Sequence, residues 1–423
     1  MGGAIASVFS AAICFCGAAL MIKTRAFFLV HPIRFIRLIT KSGRTDGVGP
    51  WKALSVSLAG VLGVGNIAGV CVAMALGGPG AVFWMWASAF LSMPLKYAEI
   101  YLGIKYREKK GGEGSPMLYT EGLRFGRPAA VLYAVLCIIS ALTLGNITQT
   151  GAASAALSGA FGIPRAAVGI SVAAVSAFII IGRFEKLANL TSALVPLMSF
   201  TYIALCFAMI IRGADRLPGA FSSVIEYAFS LKSAAGGVFG WGFAAALRHG
   251  TVKGCFSHEA GSGTAVFAHT HSGVSPEKQA CFGIIEVFFD TTVICSLTAF
   301  AVMASGVDFR SFGYSGTDCV IKAFSASLGS WSGKAASLCI AMFAVATVFC
   351  WSSYGLTALR YLFRSPSAGK IYLLFYCSAS VCGAFLRSKA VWTLTDISVL
   401  SLTALNLAVI MARRNEIYSP LRR

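Results

Sequence analysis

The chain has 423 residues, of which 57% are hydrophobic and only 12% are charged. Because soluble domains carry about 25% charged residues, this composition excludes a water-soluble enzyme and a disordered protein, and it indicates a membrane protein that crosses the bilayer many times. The 35 lysine and arginine residues outnumber the 16 aspartate and glutamate residues, for a formal charge of +19, and in a membrane protein such an excess belongs to the loops that set orientation rather than to a nucleic-acid site.

Eleven apolar stretches are long enough to cross the hydrocarbon core as helices, which takes about 20 residues each. The first lacks the basic start and the short apolar core of a signal peptide and is interpreted as a retained helix. The apolar runs are continuous and do not alternate, which excludes a β-barrel. The predicted fold class is therefore an all-α polytopic membrane protein. In chain order, spans 1 to 11 cover residues 4–22, 53–76, 80–104, 128–160, 165–182, 188–211, 235–256, 279–304, 334–359, 371–386 and 390–411.

Basic residues are distributed unevenly between the two sets of loops. If the N-terminus lies outside, most of the 35 lysine and arginine residues fall in or beside loops on the inner side. Because cytoplasmic loops carry the excess of basic residues, the sequence predicts an external N-terminus, a cytoplasmic tail (413–423) and a location in the cell membrane. Such an arrangement needs an odd number of spans, which agrees with eleven.

The segment between spans 1 and 2 is basic and aromatic. It contains Phe27, Phe28 and Phe35 among several lysine and arginine residues, which is typical of a stretch that lies on the anionic inner surface of a membrane. A solvated loop is the alternative. Together with span 1, this segment forms a predicted N-terminal unit (1–50).

Spans 2 and 7 share a glycine motif. The spacing Gly-x-x-Gly-x-Gly runs from Gly60 to Gly65 in span 2 and from Gly237 to Gly242 in span 7. Each motif opens a set of five spans (51–232 and 233–412), and the second set starts from the opposite side of the membrane, as in an inverted repeat. Paired spans interrupted by glycine indicate a transporter site near the bilayer midplane. Close helix packing is the alternative role of these glycines.

Longer motifs point to a family. These are the runs Gly63–Val70 (GVGNIAGV), Ala75–Trp86 (ALGGPGAVFWMW), Phe256–Gly263 (FSHEAGSG) and Glu286–Thr291 (EVFFDT). They resemble the alanine or glycine:cation symporter family, and the similarity covers residues 45–360 or so. The resemblance implies a five-plus-five inverted-repeat fold with one extra N-terminal helix, a broken span 2, and import of alanine or glycine driven by sodium.

The glycine-rich part of span 2 offers groups for an amino-acid substrate. A carboxylate binds well to N–H groups at the start of a half-helix, which Val64 and Gly65 can supply if the helix unwinds there, and Asn66 adds a side-chain amide. By resemblance, Gln149 in span 4 lines the same pocket. Trp351 in span 9 could close the end that holds the substrate side chain and keep it small. Asn66 and Gln149 could instead form hydrogen bonds between helices, and Trp351 could be an ordinary packed indole.

Gly240, in the second glycine motif, completes the predicted substrate-binding set. The resemblance also implies a sodium site between spans 2 and 9, with oxygen ligands from Ala59, Leu62, Phe343 and Thr347. Ala346 stands where the family usually has a second threonine, so we expect a lower sodium affinity. Sodium is the expected coupling ion, and no cofactor is expected.

Few charged residues lie within the spans. Lys96 and Glu99 share one face of span 3 and are predicted to form a structural ion pair. Glu286 and Asp290 in span 8 could relay a proton if sodium is not the coupling ion.

We therefore expect a secondary transporter that imports small neutral amino acids by sodium symport. The expected partners are the amino acid, the sodium ion and the lipid bilayer. A proton-coupled or weakly coupled carrier is the alternative within this class, and a channel or a sensor on the same scaffold is the alternative outside it. The sequence shows neither a nucleophile–base set nor a phosphate-binding loop, so we do not expect an enzyme.

Overall fold

In a computed structural model of the chain, the described residues are 2–40, 46–124, 126–182, 184–229, 242–363, 365–386 and 389–421. All regular elements among them are helices. The predicted all-α class is therefore confirmed over these ranges.

The helices before residue 230 are α1 (Gly2–Lys23), α2 (Phe27–Val30), α3 (Pro32–Thr40), α4 (Pro50–Val61), α5 (Val70–Gly77), α6 (Ala81–Lys110), α7 (Pro116–Thr120), α8 (Gly126–Leu142), α9 (Thr148–Phe161), α10 (Arg165–Ile181), α11 (Phe184–Arg212) and α12 (Leu217–Phe229). The helices after residue 241 are α13 (Phe243–His258), α14 (Thr264–His269), α15 (Pro276–Val287), α16 (Ser296–Ser305), α17 (Gly316–Leu328), α18 (Ser330–Leu362), α19 (Pro366–Gly383), α20 (Lys389–Ala412) and α21 (Arg414–Leu421).

Each predicted span coincides with one or two of these helices over its described residues, but fewer helices are long and apolar enough to cross a bilayer. In the described ranges four qualify: α11, α18, α8 continued by α9, and α15 continued by α16. The pair α4 and α5 qualifies as one bent span. Shorter apolar helices occupy Ser7–Lys23, Arg165–Ile181 and Ile397–Ala412. The count of eleven spans stays a prediction.

Helix α18 lies at the centre of the bundle. It packs against α4, α8, α9, α10, α11, α17 and α19, and most of its residues from Ser332 to Ala358 are buried. Two tyrosine hydroxyls of α19 donate hydrogen bonds to carbonyl oxygens of α18, from Tyr376 to Val348 at 2.7 Å and from Tyr372 to Ser352 at 3.1 Å. Such bonds satisfy polar groups that lipid could not satisfy.

A second core forms where α6 packs against α1, α13 and α15. Glycines on α13 allow a close approach to α6, because a Cβ on Gly250 would lie 2.3 Å from the carbonyl oxygen of Ala81, and one on Gly254 would lie 2.2 Å from the hydroxyl of Ser88. Small residues let helix backbones approach closely in membrane proteins. Helices α6 and α13 therefore form a tight pair beside the broken span.

The predicted break in span 2 is present. Helix α4 ends at Val61, the next half begins at Gly65, and the two halves are bent by 58°. The matching motif of span 7 lies largely in residues 230–241, outside the described residues, so a second break stays a prediction.

Three segments wind as wider π-helical turns, at Gly65–Gly69, Thr143–Ile147 and Phe288–Cys295. Such turns occur often at functional sites because they free backbone groups and redirect side chains. Each of the three carries a buried polar residue, namely Asn66, Asn146 and Asp290. The sequence does not predict these turns.

Candidate functional site

The break in span 2 contacts span 4 through Gln149. The Oε1 atom of Gln149 accepts a hydrogen bond from the backbone N–H of Val64 at 3.2 Å. Its side chain is almost completely buried. The structure therefore brings together Val64 and Gln149, which the sequence assigns to one pocket although they are 85 positions apart.

Gly63 lies between Gln149 and Thr347. A Cβ on Gly63 would lie 3.0 Å from the hydroxyl oxygen of Thr347 and 3.1 Å from Oε1 of Gln149. These distances leave no room for a side chain unless one neighbour moves. The glycine therefore allows the broken helix to pass close to both span 4 and span 9. It lies between Gln149 of the predicted substrate-binding set and Thr347 of the predicted sodium site.

Gly65 faces open space. No atom lies within 4 Å of the position that its Cβ would occupy, and the residue is exposed although its neighbours Asn66 and Ile67 are buried. Gly65 starts the second half of the broken span, where the first N–H groups of a helix have no intrahelical partner. The N–H groups on either side are already used, by Val64 toward Gln149 and by Asn66 toward the carbonyl oxygen of Gly63, so the exposed backbone at Gly65 is the part of this half-helix start that is suited to an anionic group such as a carboxylate.

Asn66 points away from that open space. Its Oδ1 accepts a hydrogen bond from the N–H of Gly63 at 3.2 Å, and its Nδ2 donates to Asp290 Oδ1 at 2.6 Å and to the hydroxyl of Ser257 at 2.8 Å. The Oδ1 atom thus bonds within the break of span 2, and the Nδ2 atom bonds to other spans. The geometry favours the alternative considered for Asn66, a hydrogen bond that fixes helix packing, over direct contact with a substrate.

Four oxygen atoms converge where α4 ends against α18. The hydroxyl of Thr347 lies 3.1 Å from the carbonyl oxygen of Ala59, 3.4 Å from that of Leu62 and 3.1 Å from that of Phe343. All four residues are buried. One hydroxyl has one hydrogen, so it cannot donate a full hydrogen bond to three carbonyl oxygens at once. The arrangement leaves lone pairs that face one another.

The end of a half-helix makes this cluster attractive to a cation. Near a helix C-terminus the last carbonyls lack intrahelical partners and carry the negative end of the helix dipole. Here the N–H of Gly63 donates to Val61 and to the side chain of Asn66 rather than to Ala59. Oxygen ligands about 2.3–2.6 Å from a hard cation lie about 3.3–3.7 Å from one another in octahedral geometry. The 3.4 Å contact of the Thr347 hydroxyl with Leu62 is in that range, whereas its two 3.1 Å contacts are hydrogen-bond distances. These four oxygens are the whole proposed ligand set, because Ala346 beside them is buried and adds no side-chain oxygen.

Trp351 is buried one helical turn beyond Thr347. Its indole packs directly on Gly145, where a Cβ would lie 2.3 Å from the indole Cγ, and its ring centroid lies 5.6 Å from that of Tyr354. Its Nε1 has no protein hydrogen-bond partner within the described part of the chain. Trp351 thus fills the space between spans 4 and 9, and its role as the wall of a pocket stays a prediction. Gly240 lies outside the described residues.

A buried charge cluster lies beside the site. Lys96 pairs with Glu286 at 3.0 Å and is 3.8 Å from Glu99, and it also donates to the carbonyl oxygen of His258 at 3.0 Å. The second oxygen of Glu286 contacts His269 Nε2 at 2.8 Å. The predicted pair of Lys96 and Glu99 is therefore present, but the shorter contact joins Lys96 to span 8.

Asp290 lies one turn beyond Glu286 and has different surroundings. Its carboxylate accepts hydrogen bonds from Asn66, from Ser257 at 2.7 Å and from Thr291 at 2.8 Å. It is fully buried, and no lysine, arginine or histidine in the described ranges forms an ion pair with it. Sequence reasoning missed Ser257 and the link from Asp290 to Asn66, because the two residues are 224 positions apart.

Almost the whole chain matches one protein family. The profile of the sodium:alanine symporter family matches residues 3–422. The chain belongs to this family. It is therefore a multi-pass membrane protein and a transporter rather than a member of an enzyme class.

Two relatives and one solved structure are similar to most of the chain. The chain is 30% identical over 398 residues to the sodium/alanine symporter AgcS of Methanococcus maripaludis, covering 90% of this chain and 86% of the relative. It is 31% identical over 397 residues to the probable sodium/glutamine symporter GlnT of Bacillus subtilis, covering 93% and 82%. A crystal structure of MhsT in complex with L-phenylalanine aligns with a TM-score of 0.57 at 13% identity, covering 88% of this chain and 90% of that one. This similarity shows a shared transporter fold.

Proposed function

We propose that this protein imports alanine, glycine and other small neutral amino acids by sodium symport, with alternating access between the two sides of the cell membrane. The proposal is carried by one observation: the predicted sodium oxygens of Ala59, Leu62, Phe343 and Thr347 converge at the break in span 2. A sodium ion bound there would hold the two half-helices and α18 together.

The substrate would bind on the other side of Gly63. The open space at Gly65 lies in the broken segment of span 2, and the amide of Gln149 on span 4 contacts the same segment at Val64. A substrate carboxylate at the start of the second half-helix would face N–H donors and the positive end of its dipole. The cation at the end of the first half-helix would be adjacent, so binding of one would favour binding of the other.

The proposed arrangement in the membrane has eleven spans, with repeats of five (51–232 and 233–412) after the N-terminal unit (1–50). The N-terminus would lie outside and the tail (413–423) in the cytoplasm, as the distribution of basic residues indicates. A reporter that is active only in the cytoplasm, fused after Arg423, should be active. Activity of a periplasmic reporter at the same position would contradict the orientation.

The function is tested by radiolabelled alanine uptake into proteoliposomes that contain the purified protein. Uptake should follow an inward sodium gradient and should not follow an equal potassium gradient. Unlabelled glycine and serine should compete, whereas leucine and glutamine should not. Glutamine is the informative competitor, because the relative GlnT is described as a probable sodium/glutamine symporter. Equal uptake in sodium and potassium would contradict sodium symport.

A second candidate is proton coupling, and Asp290 favours it. A buried carboxylate without a cationic partner in the described ranges needs a proton or another cation to offset its charge. If uptake follows an imposed pH gradient instead of sodium, and Asp290→Asn abolishes that response while alanine still binds, Asp290 is the coupling group. A sodium-driven parent with an unchanged sodium response in Asp290→Asn excludes this candidate.

A further inference from the structure

The segment that follows α1 folds into an elbow of two helices, α2 and α3, which we call the N-terminal elbow (residues 27–40). The chain reaches it through a turn in which Arg25 and Ala26 have positive φ angles of 54° and 46°. Helix α3 packs against α15. The elbow therefore lies on the outside of the bundle but is fixed to it.

The aromatic residues of the elbow turn inward. Phe27 and Phe28 are buried, and the ring of Phe27 lies 5.2 Å from that of Tyr97 on α6. Phe28 lies 6.3 Å from Phe90 on the same helix, and Phe35 packs against both elbow rings. These three residues attach the elbow to the protein, so they do not form the membrane-facing side that the sequence suggested for them.

Other residues form the outer face. Leu29, Val30, Ile33 and Ile36 are each more than half exposed, with Ile33 at 73%. On one short helix, Ile33 and Ile36 are three residues apart and share a face. Four large aliphatic side chains in water would be a costly surface, and contiguous apolar patches of this kind mark membrane or protein contacts.

Basic side chains flank this apolar face. Arg34 and Arg37 are exposed and, with His31 and Ile33, line a cavity of about 310 Å³ at the bend between α2 and α3. Neither arginine forms an ion pair with an acidic residue in the described ranges. The sequence up to residue 45 contains no aspartate or glutamate. The elbow itself therefore carries basic and apolar side chains but no acidic ones, and the nearest acidic residue on the helix beneath it is Glu277 of α15.

The elbow adjoins the surface that would face lipid. Phe28 contacts Phe90, which is 40% exposed on α6, and Phe15 and Ile22 of α1 are also exposed. An apolar, basic helix at the edge of an apolar belt has the features of a helix lying in the membrane interface, with its apolar side chains at the acyl boundary and its basic ones among the headgroups.

We propose that the outer face of the N-terminal elbow docks on the cytoplasmic leaflet and binds anionic phospholipid headgroups between Arg34 and Arg37. The placement on this leaflet rests on the orientation proposed above, but the binding does not depend on which substrate is transported. Each arginine near an anionic surface contributes about a fivefold gain in affinity. A bound lipid would hold the elbow, and through it α15, against the bilayer.

Native mass spectrometry of the purified full-length protein tests this directly. The protein in detergent is titrated with phosphatidylglycerol or with phosphatidylcholine of the same acyl chains. The parent should retain phosphatidylglycerol preferentially. Arg34→Gln/Arg37→Gln should weaken retention by about fivefold for each arginine removed and leave phosphatidylcholine retention unchanged. Both positions are exposed, so the variant should fold like the parent.

The matched control removes two arginines from the loops proposed to lie on the other side of the membrane, with Arg165→Gln/Arg212→Gln. This control should retain phosphatidylglycerol as the parent does. Equal loss in both double variants would show a general charge effect and overturn the proposal, as would no loss in either. The same spectra report oligomeric state. A dimer that disappears in Ile33→Ser/Ile36→Ser would mean that a second copy of the chain covers the face, which would also overturn the proposal.

Discussion

The hydroxyl oxygen of Thr347 lies 3.1 Å from the main-chain carbonyl oxygen of Ala59, a residue 288 positions away. This contact joins the centre of α18 to the last turn of the first half-helix of span 2. The carbonyl oxygens of Leu62 and Phe343 surround the same hydroxyl. A single hydroxyl proton cannot be donated to all three carbonyl oxygens at once, and this is why we propose these oxygens as the sodium ligands.

We expect Thr347→Ala to raise the sodium concentration for half-maximal alanine uptake by about 10- to 150-fold, because a hydrogen bond to a charged group contributes about 1.5–3 kcal/mol. Thr347→Ser keeps the hydroxyl and should remain close to the parent. Ala346→Ser adds an oxygen beside the cluster and should lower the sodium requirement. These values come from uptake at varied sodium and fixed ionic strength. An unchanged sodium response in Thr347→Ala would remove this cluster from the coupling mechanism.

Two glycines of the same motif should respond differently to substitution by alanine. At Gly63 the new Cβ meets Thr347 and Gln149 at about 3 Å, whereas at Gly65 it meets open space. We expect Gly63→Ala to weaken both sodium and alanine binding, since it displaces one group of each site. Gly65→Ala should leave the sodium response unchanged and raise the KM for alanine more than that for glycine, because the methyl group occupies space near the substrate.

The measurement for this pair is uptake kinetics of both substrates at saturating and limiting sodium. Size-exclusion profiles of the purified variants supply the folding control. If Gly65→Ala has the parent's KM for both substrates, the open space at Gly65 is not where the substrate binds.

The sequence predicts the broken span because glycine spacing acts locally, whereas the assignment of the four oxygens to sodium comes from the family resemblance and stays a prediction. It does not predict the direction of Asn66. That side chain bonds to Asp290 on a helix far along the chain, and the local pattern of span 2 contains nothing that distinguishes an inward amide from a substrate-facing one.

For the same reason, the local sequence pattern does not predict the closer ion-pair partner of Lys96. The spacing rule within a helix indicates Glu99, but the closer partner, Glu286, comes from the packing of α15 against α6. The search for long apolar stretches also overlooks α12 and α17, which have 13 residues each. Helices of that length are too short to cross the bilayer, although α12 packs against α6 and α17 packs against α18.

The pair of Lys96 and Glu286 should behave as a buried ion pair. Removing one partner leaves an uncompensated charge and costs about 3–5 kcal/mol, so Lys96→Met and Glu286→Gln should each lower the apparent Tm of the detergent-solubilised protein. The double variant should recover part of the loss, because its charges are removed together. Glu99→Gln is the comparison, since Glu99 lies farther from Lys96. Additive losses in the double variant would show that the two residues act independently.

Gln149 is expected to contribute to substrate binding. Its Oε1 holds the N–H of Val64, so Gln149→Ala leaves that donor without its partner and should weaken alanine binding by about 5- to 150-fold, the equivalent of about 1–3 kcal/mol. Thr150→Ala on the neighbouring position is the control, because its hydroxyl donates to Asn146 within the same span and not to the broken segment. Equilibrium binding of labelled alanine measures both. Binding within twofold of the parent in Gln149→Ala would place the substrate elsewhere.

Trp351 is expected to limit substrate size. The indole occupies the space between Gly145 and Tyr354, and its N–H has no protein partner within the described ranges, so Trp351→Phe removes volume without breaking a protein hydrogen bond. We expect this variant to accept serine and larger neutral amino acids better than the parent, with alanine uptake retained. Trp331→Phe is the matched control, because Trp331 lies on the same helix but is 60% exposed, and it should keep the parent's substrate range. Competition of labelled alanine uptake by serine, valine and leucine measures the range. If Trp351→Phe and Trp331→Phe both keep the parent's size limit, the buried indole serves only to pack α18 against span 4, and the substrate side chain is bounded by other residues.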